Sequence, residues 1–186
     1  MESKLEDKEG ITVQNQQDYP VGEAGWEQVS ERYLDVFEAD LKAAGRSERI
    51  KNRDMSCAYV YLNYFLQHLM AEESPDAEIS TLVIKDENRE ILVNGCRKLG
   101  YYISYYYIQK DWTASPYNLE QTVQAIKNFY ECMMNHGYVS GDDFDYLCSE
   151  IESDLDGWLE ECEQKCVEDF GEDEWRKMRK GETYFI

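Results

Sequence analysis

The sequence is poor in proline and has no long apolar run. It has three prolines in 186 residues, where about nine would be average, and no stretch of about 18 uncharged apolar residues. These absences exclude a proline-rich disordered polymer and a membrane-spanning helix, while 42% apolar residues predict a folded core. The opening residues, MESKLEDKEG, also lack the basic and apolar regions of a signal peptide. We therefore expect a cytoplasmic protein with no membrane partner.

Motifs for catalysis or cofactor binding are missing as well. The sequence has no GxSxG elbow, no glycine-rich phosphate loop and no calcium loop of the DxDxDG type. Adjacent acids such as Asp142 and Asp143 point to different sides of a helix, so they do not form the facing carboxylate pair of a hydrolase. We predict that the protein is not an enzyme and has no cofactor.

The cysteines are spread along the chain in a pattern typical of buried, reduced thiols. Six are present, and no export sequence accompanies them. Cys162 and Cys166 are four residues apart and could offer two thiolates to a metal, but no second CxxC, CxxH or HxxxH pair completes a zinc site. The sequence therefore predicts core cysteines and no metal site.

Apolar spacing predicts an all-α fold, a compact bundle of five or six helices. The first apolar stripe starts at Val29, and Gly45 is suited to end that helix. Ser47 is expected to cap a long second helix, whose inward set includes Tyr64, and a third helix is expected to end near Asp111.

Two further helix starts are marked by serine. Ser115 followed by Pro116 is typical of a first turn, and Gly137 is expected to end the helix that follows. Ser140, with an acid three residues on, has the form of a capping box and opens a long acidic helix that Gly157 could interrupt. Three segments result: a flexible acidic arm (1–25), a helical domain (26–139) and an acidic helical extension packed on it (140–186).

The formal charge of −20 is concentrated in the last of these segments. Residues 30–72 carry six basic and seven acidic side chains, whereas residues 140–174 carry fifteen acids and one lysine, a net charge of −14. A nearly neutral body can still present a local basic face. Candidate phosphate contacts are Arg46, Arg49, Lys51 and Arg53, although a solvated helix face is the commoner explanation of such a cluster.

The acidic segment has its own candidate surface, for docking a basic protein partner or for imitating the charge of DNA. Plain solubility is the alternative explanation. The candidate docking residues are Asp142, Asp143, Asp145, Glu150, Glu152, Asp154, Glu160, Glu161 and Glu163.

Two stretches carry a family resemblance. VFEADLKAAGRSERIKNRDMSCAYVYLNYFL contains a helix, a glycine-serine turn at Gly45–Ser47 and a long helix with Tyr61 and Phe65, and ASPYNLEQTVQAIKNFYECMMNHGYVS contains a helix that starts after Ser115. Both resemble parts of the core-binding, SAM-like domain of tyrosine recombinases and phage integrases, over about residues 29–139.

In that family the domain is a helical clamp on DNA, and a separate C-terminal domain carries the chemistry, with a tyrosine nucleophile and an HxxR motif. Here neither His68 nor His136 is followed by arginine at the third position, and the downstream segment is acidic. The resemblance therefore implies a non-catalytic, stand-alone module associated with double-stranded DNA. The alternative is an acidic protein-interaction module that does not bind nucleic acid. The sequence does not indicate an oligomeric state.

Overall fold

The structure is a computed structural model that describes residues 26–67, 69, 87–111 and 113–179. Over these residues it has seven helices and no strand, which confirms the all-α prediction, although the number of helices exceeds the five or six predicted. The predicted arm at 1–25, the predicted helix break at Ser74–Pro75 and the end of the chain from residue 180 lie outside the described residues.

Two of the seven helices contain a π-helical segment, in which the backbone bonds span five residues. We number the helices α1 to α7 in chain order. They are α1 (Trp26–Ala43), α2 (Glu48–Val60, then π-helical Tyr61–Leu66), α3 (Glu87–Gly95), α4 (Leu99–Tyr101, π-helical Tyr102–Tyr107, Ile108–Lys110), α5 (Pro116–Asn135), α6 (Gly141–Phe170) and α7 (Glu172–Arg179).

The predicted helix starts are confirmed by three serine caps. The hydroxyl oxygen of Ser47 accepts a hydrogen bond from the backbone N–H of the third residue beyond it, and Ser115 and Ser140 do the same at α5 and α6. Each bond satisfies one of the free amides at a helix start. Pro116 occupies the first helical position of α5, as predicted.

The predicted ends of α1 and α5 are also confirmed, by glycines in the left-handed region. Gly45 has φ of 65° and Gly137 has φ of 76°. The amide of the next residue reaches back over each turn, from Arg46 to the Leu41 carbonyl at 3.1 Å and from Tyr138 to the Met133 carbonyl at 2.9 Å. This is the closing pattern for which glycine is favoured.

Two helix interruptions differ from the sequence prediction. The third predicted helix is broken at residues 96–98, next to a crowded point where a Cβ on Gly95 would lie 2.0 Å from the hydroxyl oxygen of Tyr130. In contrast, Gly157 does not interrupt α6, because it lies on the exposed face and the packed face continues past it. An exposed helical glycine costs only about 1 kcal/mol relative to alanine.

The core centres on aromatic rings from the two π-helical segments. Tyr61 and Phe65 of α2 pack against Tyr102 of α4, each with ring centroids 5.0 Å away. The buried hydroxyl of Tyr61 donates to the Gly95 carbonyl at 2.6 Å, which ties α3 to this cluster. Tyr64, predicted to face inward, is 56% exposed. A π-helical turn holds more residues than an α-helical one, so the 3.6-residue phase no longer applies beyond Val60.

The acidic helix α6 packs on α5 and shares the same core. Its buried face is formed by Leu147, Ile151, Trp158 and Cys162. The short helix α7 follows it and buries Trp175. None of the helices in the described part of the chain combines the length and apolar character that crossing a membrane requires.

Candidate functional site

The four predicted phosphate contacts are not equivalent in the structure. Arg46 and Arg49 are exposed at the turn between α1 and α2, and neither forms an ion pair with another described residue. The side chain of Lys51 is only 12% exposed and pairs with Glu48 at 2.8 Å and Glu38 at 3.8 Å. Two exposed cations therefore remain from this cluster once Lys51 and Arg53 are accounted for.

Arg53 belongs to a buried polar network between α2 and α5. Its guanidinium lies 2.5 Å from the carboxylate of Asp54, which is fully buried, and it also contacts the side-chain oxygen of Gln121. The amide of Asn128 donates to the second carboxylate oxygen of Asp54 at 3.1 Å. A buried carboxylate needs such partners because it has lost its water, so Arg53 has a structural role here.

A groove of about 680 Å³ lies beside this network, between α2, α4 and α5. Arg49 and Arg53 stand on one side, and Tyr102 and Tyr107 form part of the wall. The thiol of Cys57 also faces the groove, and burial raises its pKa, so it is held protonated at neutral pH. A protonated thiol is a poor nucleophile, so this cysteine does not supply an activated one.

The nine predicted docking acids divide into two groups. Four are half-buried or paired: Asp143 lies 3.2 Å from Arg97, Glu161 accepts from Gln109 at 3.4 Å, Glu163 pairs with Arg179, and Glu150 faces α4. The other five are exposed, namely Asp142, Asp145, Glu152, Asp154 and Glu160.

Glu150 points towards the start of α4. Burial raises the pKa of its carboxyl group, and a hydrogen bond with the backbone of Gly100 opposes that rise. One carboxylate oxygen, Oε2, is buried without a hydrogen-bond partner. A Cβ at Gly100 would lie 2.9 Å from the other oxygen, so glycine permits this close approach.

Five carboxylates form one line along the outer side of α6, opposite its buried face. We call this line the acidic stripe: Asp142, Asp145, Glu152, Asp156 and Glu160. The stripe includes Asp156, which the sequence analysis did not select, although its spacing of four from Glu152 and from Glu160 places the three on one face. Across the described part of the chain, no cation lies in ion-pair contact with a stripe carboxylate.

A second cluster, missed by the sequence analysis, lies between α1 and α5. Asp40, Cys132 and His136 bring one carboxylate oxygen, one thiol and one imidazole nitrogen within 4.8 Å of one another. The Cx3H spacing at the end of α5 could have indicated the Cys132–His136 pair, but the carboxylate comes from a distant part of the chain. Burial, with help from Asp40, raises the pKa of the Cys132 thiol to about 12.

Comparison with known proteins yields no match: no family model fits the sequence, and neither a curated protein nor a solved structure is significantly similar to it. The resemblance to a recombinase core-binding domain therefore stays a prediction.

Proposed function

We propose that the protein is a non-catalytic, cytoplasmic interaction module that docks a lysine- and arginine-rich protein segment on the acidic stripe of α6. The observation that supports this proposal is that no cation among the described residues pairs with the stripe. The helix carries twelve acids and a single lysine, Lys165, and that lysine pairs with Asp169 at 2.5 Å near the end of the helix.

The stripe is unfavourable for the isolated helix. Glu152, Asp156 and Glu160 follow one another at spacings of four, and each like-charged pair at that spacing costs about 0.2 to 0.5 kcal/mol. The packed inner face of α6 holds the helix together against this repulsion. A cationic partner would relieve the repulsion on binding, so the folded protein presents a preorganised surface for it.

The dimensions of the stripe suit a peptide segment. Asp142 and Glu160 are separated by about 27 Å along a helix, from 1.5 Å per residue. Five charges over this length are separated on average by about 7 Å, so they match a basic helix or an extended basic tail that presents a cation about every 7 Å. Binding through such exposed charges is expected to weaken steeply with salt.

The test is the binding of a fluorescently labelled lysine-rich peptide, measured by anisotropy at low and at physiological salt. A stripe variant carries D142N, D145N, E152Q, D156N and E160Q. A matched control neutralises five exposed acids on α1, α3 and α5: E31Q, D35N, E90Q, E120Q and E131Q. Both variants change the net charge equally, so they separate the stripe from general acidity.

We expect the stripe variant to lose at least tenfold in affinity and the control to lose less than threefold. The same two variants, used as bait in cell extract, should differ in the capture of basic proteins. Equal losses in the two variants, or no loss in either, would reject the acidic stripe as a docking surface.

A second candidate function rests on Arg46 and Arg49. These two exposed cations form no ion pair with another described residue. Arg46 lies in the turn before α2 and Arg49 in the first turn of α2, where the sequence resembles the DNA-contacting, SAM-like domain of integrases. If Arg46 and Arg49 contact DNA phosphates, the protein should bind duplex DNA weakly, and the affinity should fall steeply as the salt concentration rises. A shift assay with a duplex of random sequence should lose binding in R46A/R49A and keep it in R176A/K177A, which removes two paired cations of α7. No binding at low salt would eliminate this candidate.

A further inference from the structure

The cluster of Asp40, Cys132 and His136 has the composition of a transition-metal site. The imidazole Nε2 of His136 lies 3.1 Å from Oδ2 of Asp40, and the Sγ atom of Cys132 lies 3.3 Å from the same oxygen. Around a tetrahedral zinc ion with bonds of about 2.0 to 2.3 Å, neighbouring ligand atoms lie roughly 3.3 to 3.6 Å apart. The two separations to Asp40 are therefore already close to those that a shared ion requires, and the third, between Sγ of Cys132 and the ring of His136, is within 4.8 Å.

Two helices position these ligands. Cys132 lies in the last turn of α5, and His136 is the residue that caps the end of that helix, with its backbone N–H bonded to the Cys132 carbonyl at 3.0 Å. Asp40 approaches from α1. Cys132 is buried, while the side chains of Asp40 and His136 are 44% and 43% exposed. An ion can thus reach the cluster from solvent past Asp40 and His136 and bind the buried thiol of Cys132.

The donor set selects the class of ion. Calcium and magnesium prefer oxygen ligands, whereas a thiolate with an imidazole suits zinc and its neighbours in the transition series. On binding, the Cys132 thiol releases its proton to solvent and a sulfur–metal bond forms, so that one divalent ion balances one thiolate and one carboxylate. We infer that Asp40, Cys132 and His136 bind one Zn²⁺ ion, with the fourth position open to water or to a ligand.

The experiment uses the full chain, reduced and without an affinity tag. Cobalt, added as a spectroscopic substitute for zinc, should give the absorption of a tetrahedral thiolate complex at one ion per chain, and zinc should displace it. Calorimetry then measures the zinc affinity directly. Because the ion would join α1 to α5, saturating zinc should also raise the melting temperature.

Variants test each ligand. H136Q and D40N change partly exposed side chains and are expected to fold normally. Each should lower the zinc affinity at least tenfold, because even the loss of a residue that only hydrogen-bonds to a metal ligand typically has an effect of that size. C132S should abolish the thiolate absorption. Matched controls are H68Q, which changes the other histidine of the sequence, and C162A, which removes one of the two neighbouring buried thiols of α6, Cys162 and Cys166.

The controls should keep the affinity and the spectrum of the unaltered protein. The inference is overturned if the full chain binds no zinc, if cobalt binds without thiolate absorption, or if H136Q and D40N bind zinc as tightly as the unaltered protein. It is also overturned if C162A removes the absorption, because the ion would then sit at the α6 thiols. None of these outcomes depends on docking at the acidic stripe.

Discussion

Helices α2 and α6 both carry many charged side chains, but the charges are paired within the protein in α2 and exposed to solvent in much of α6. In α2, Lys51 and Arg53 are held by acids of the protein itself, and Asp54 is taken into the core with its partners. In α6, the acidic stripe faces solvent and pairs with no described residue.

This difference shows that a count of charges is a poor guide to an interaction surface. The cluster at the start of α2 is basic in the sequence, yet two of its four cations, Lys51 and Arg53, form ion pairs within the protein. The accumulation of acids on α6 could not be neutralised from within, because the helix holds twelve acids and one lysine. Surface charge that is left unpaired is the charge available to a partner.

The largest expected effect is the removal of the buried acid in α2. Asp54→Ala leaves Arg53 half-buried without its carboxylate and the amide of Asn128 without its acceptor. We expect a loss of about 2 to 4 kcal/mol in the free energy of unfolding, somewhat below the usual cost of breaking a buried pair because Arg53 is partly exposed.

Denaturant unfolding of D54A measures this loss, and Asp145→Ala on the acidic stripe is the control. An exposed acid should change the free energy of unfolding by no more than about 0.5 kcal/mol. If D54A and D145A lower the free energy of unfolding by the same amount, the proposed difference in charge pairing between α2 and α6 is wrong.

A charge reversal in the stripe should have a smaller effect of opposite sign. Asp156→Lys replaces two repulsive pairs, with Glu152 and Glu160, by two attractive ones. The free energy of unfolding should rise by about 0.5 to 1 kcal/mol, and 1 M salt should remove most of the gain. The same variant should bind the lysine-rich peptide less tightly.

Asp156→Asn separates the two contributions to that gain. It relieves the repulsion without adding an attraction, so it should give roughly half of the stabilisation seen with lysine. If the stabilisation does not depend on salt, or if neither variant is stabilised, the acids of the stripe do not repel one another as proposed.

The smallest expected effect concerns Glu150, the acid of α6 that turns inward. Burial raises its pKa above the ordinary value of 4.5, so the folded state favours the protonated form. Its contribution to stability is therefore complete below about pH 4.5 and is lost as the pH rises through the folded pKa. Glu150→Gln keeps an acceptor for Gly100 and removes this loss.

The free energy of unfolding of E150Q, relative to the unaltered protein, should increase slightly as the pH rises above about 4.5, because only the unaltered protein must then bury an ionised carboxylate. Denaturant titrations at several pH values measure it, with Glu152→Gln as the exposed control. The opposite slope would mean that Glu150 gains more from the start of α4 than it loses by burial.

Much of the helical architecture could be predicted from the sequence, and most of the candidate sites could not. Ser47, Ser115 and Ser140 cap the helices they were expected to cap, because a cap is formed within one turn of chain. The inward prediction for Tyr64 was wrong because a π-helical segment changes the phase. The metal-ligand cluster was missed because Asp40 lies 92 residues before Cys132 in the chain.

The sequence by itself determined where the principal helices begin and end and which face of each is apolar, because these properties depend on neighbours three or four residues away. Only the tertiary structure decided which charges are paired, which remain at the surface and which ligands meet. Those outcomes depend on side chains that folding brings together from separate helices, where burial sets the cost of leaving a charge without a partner.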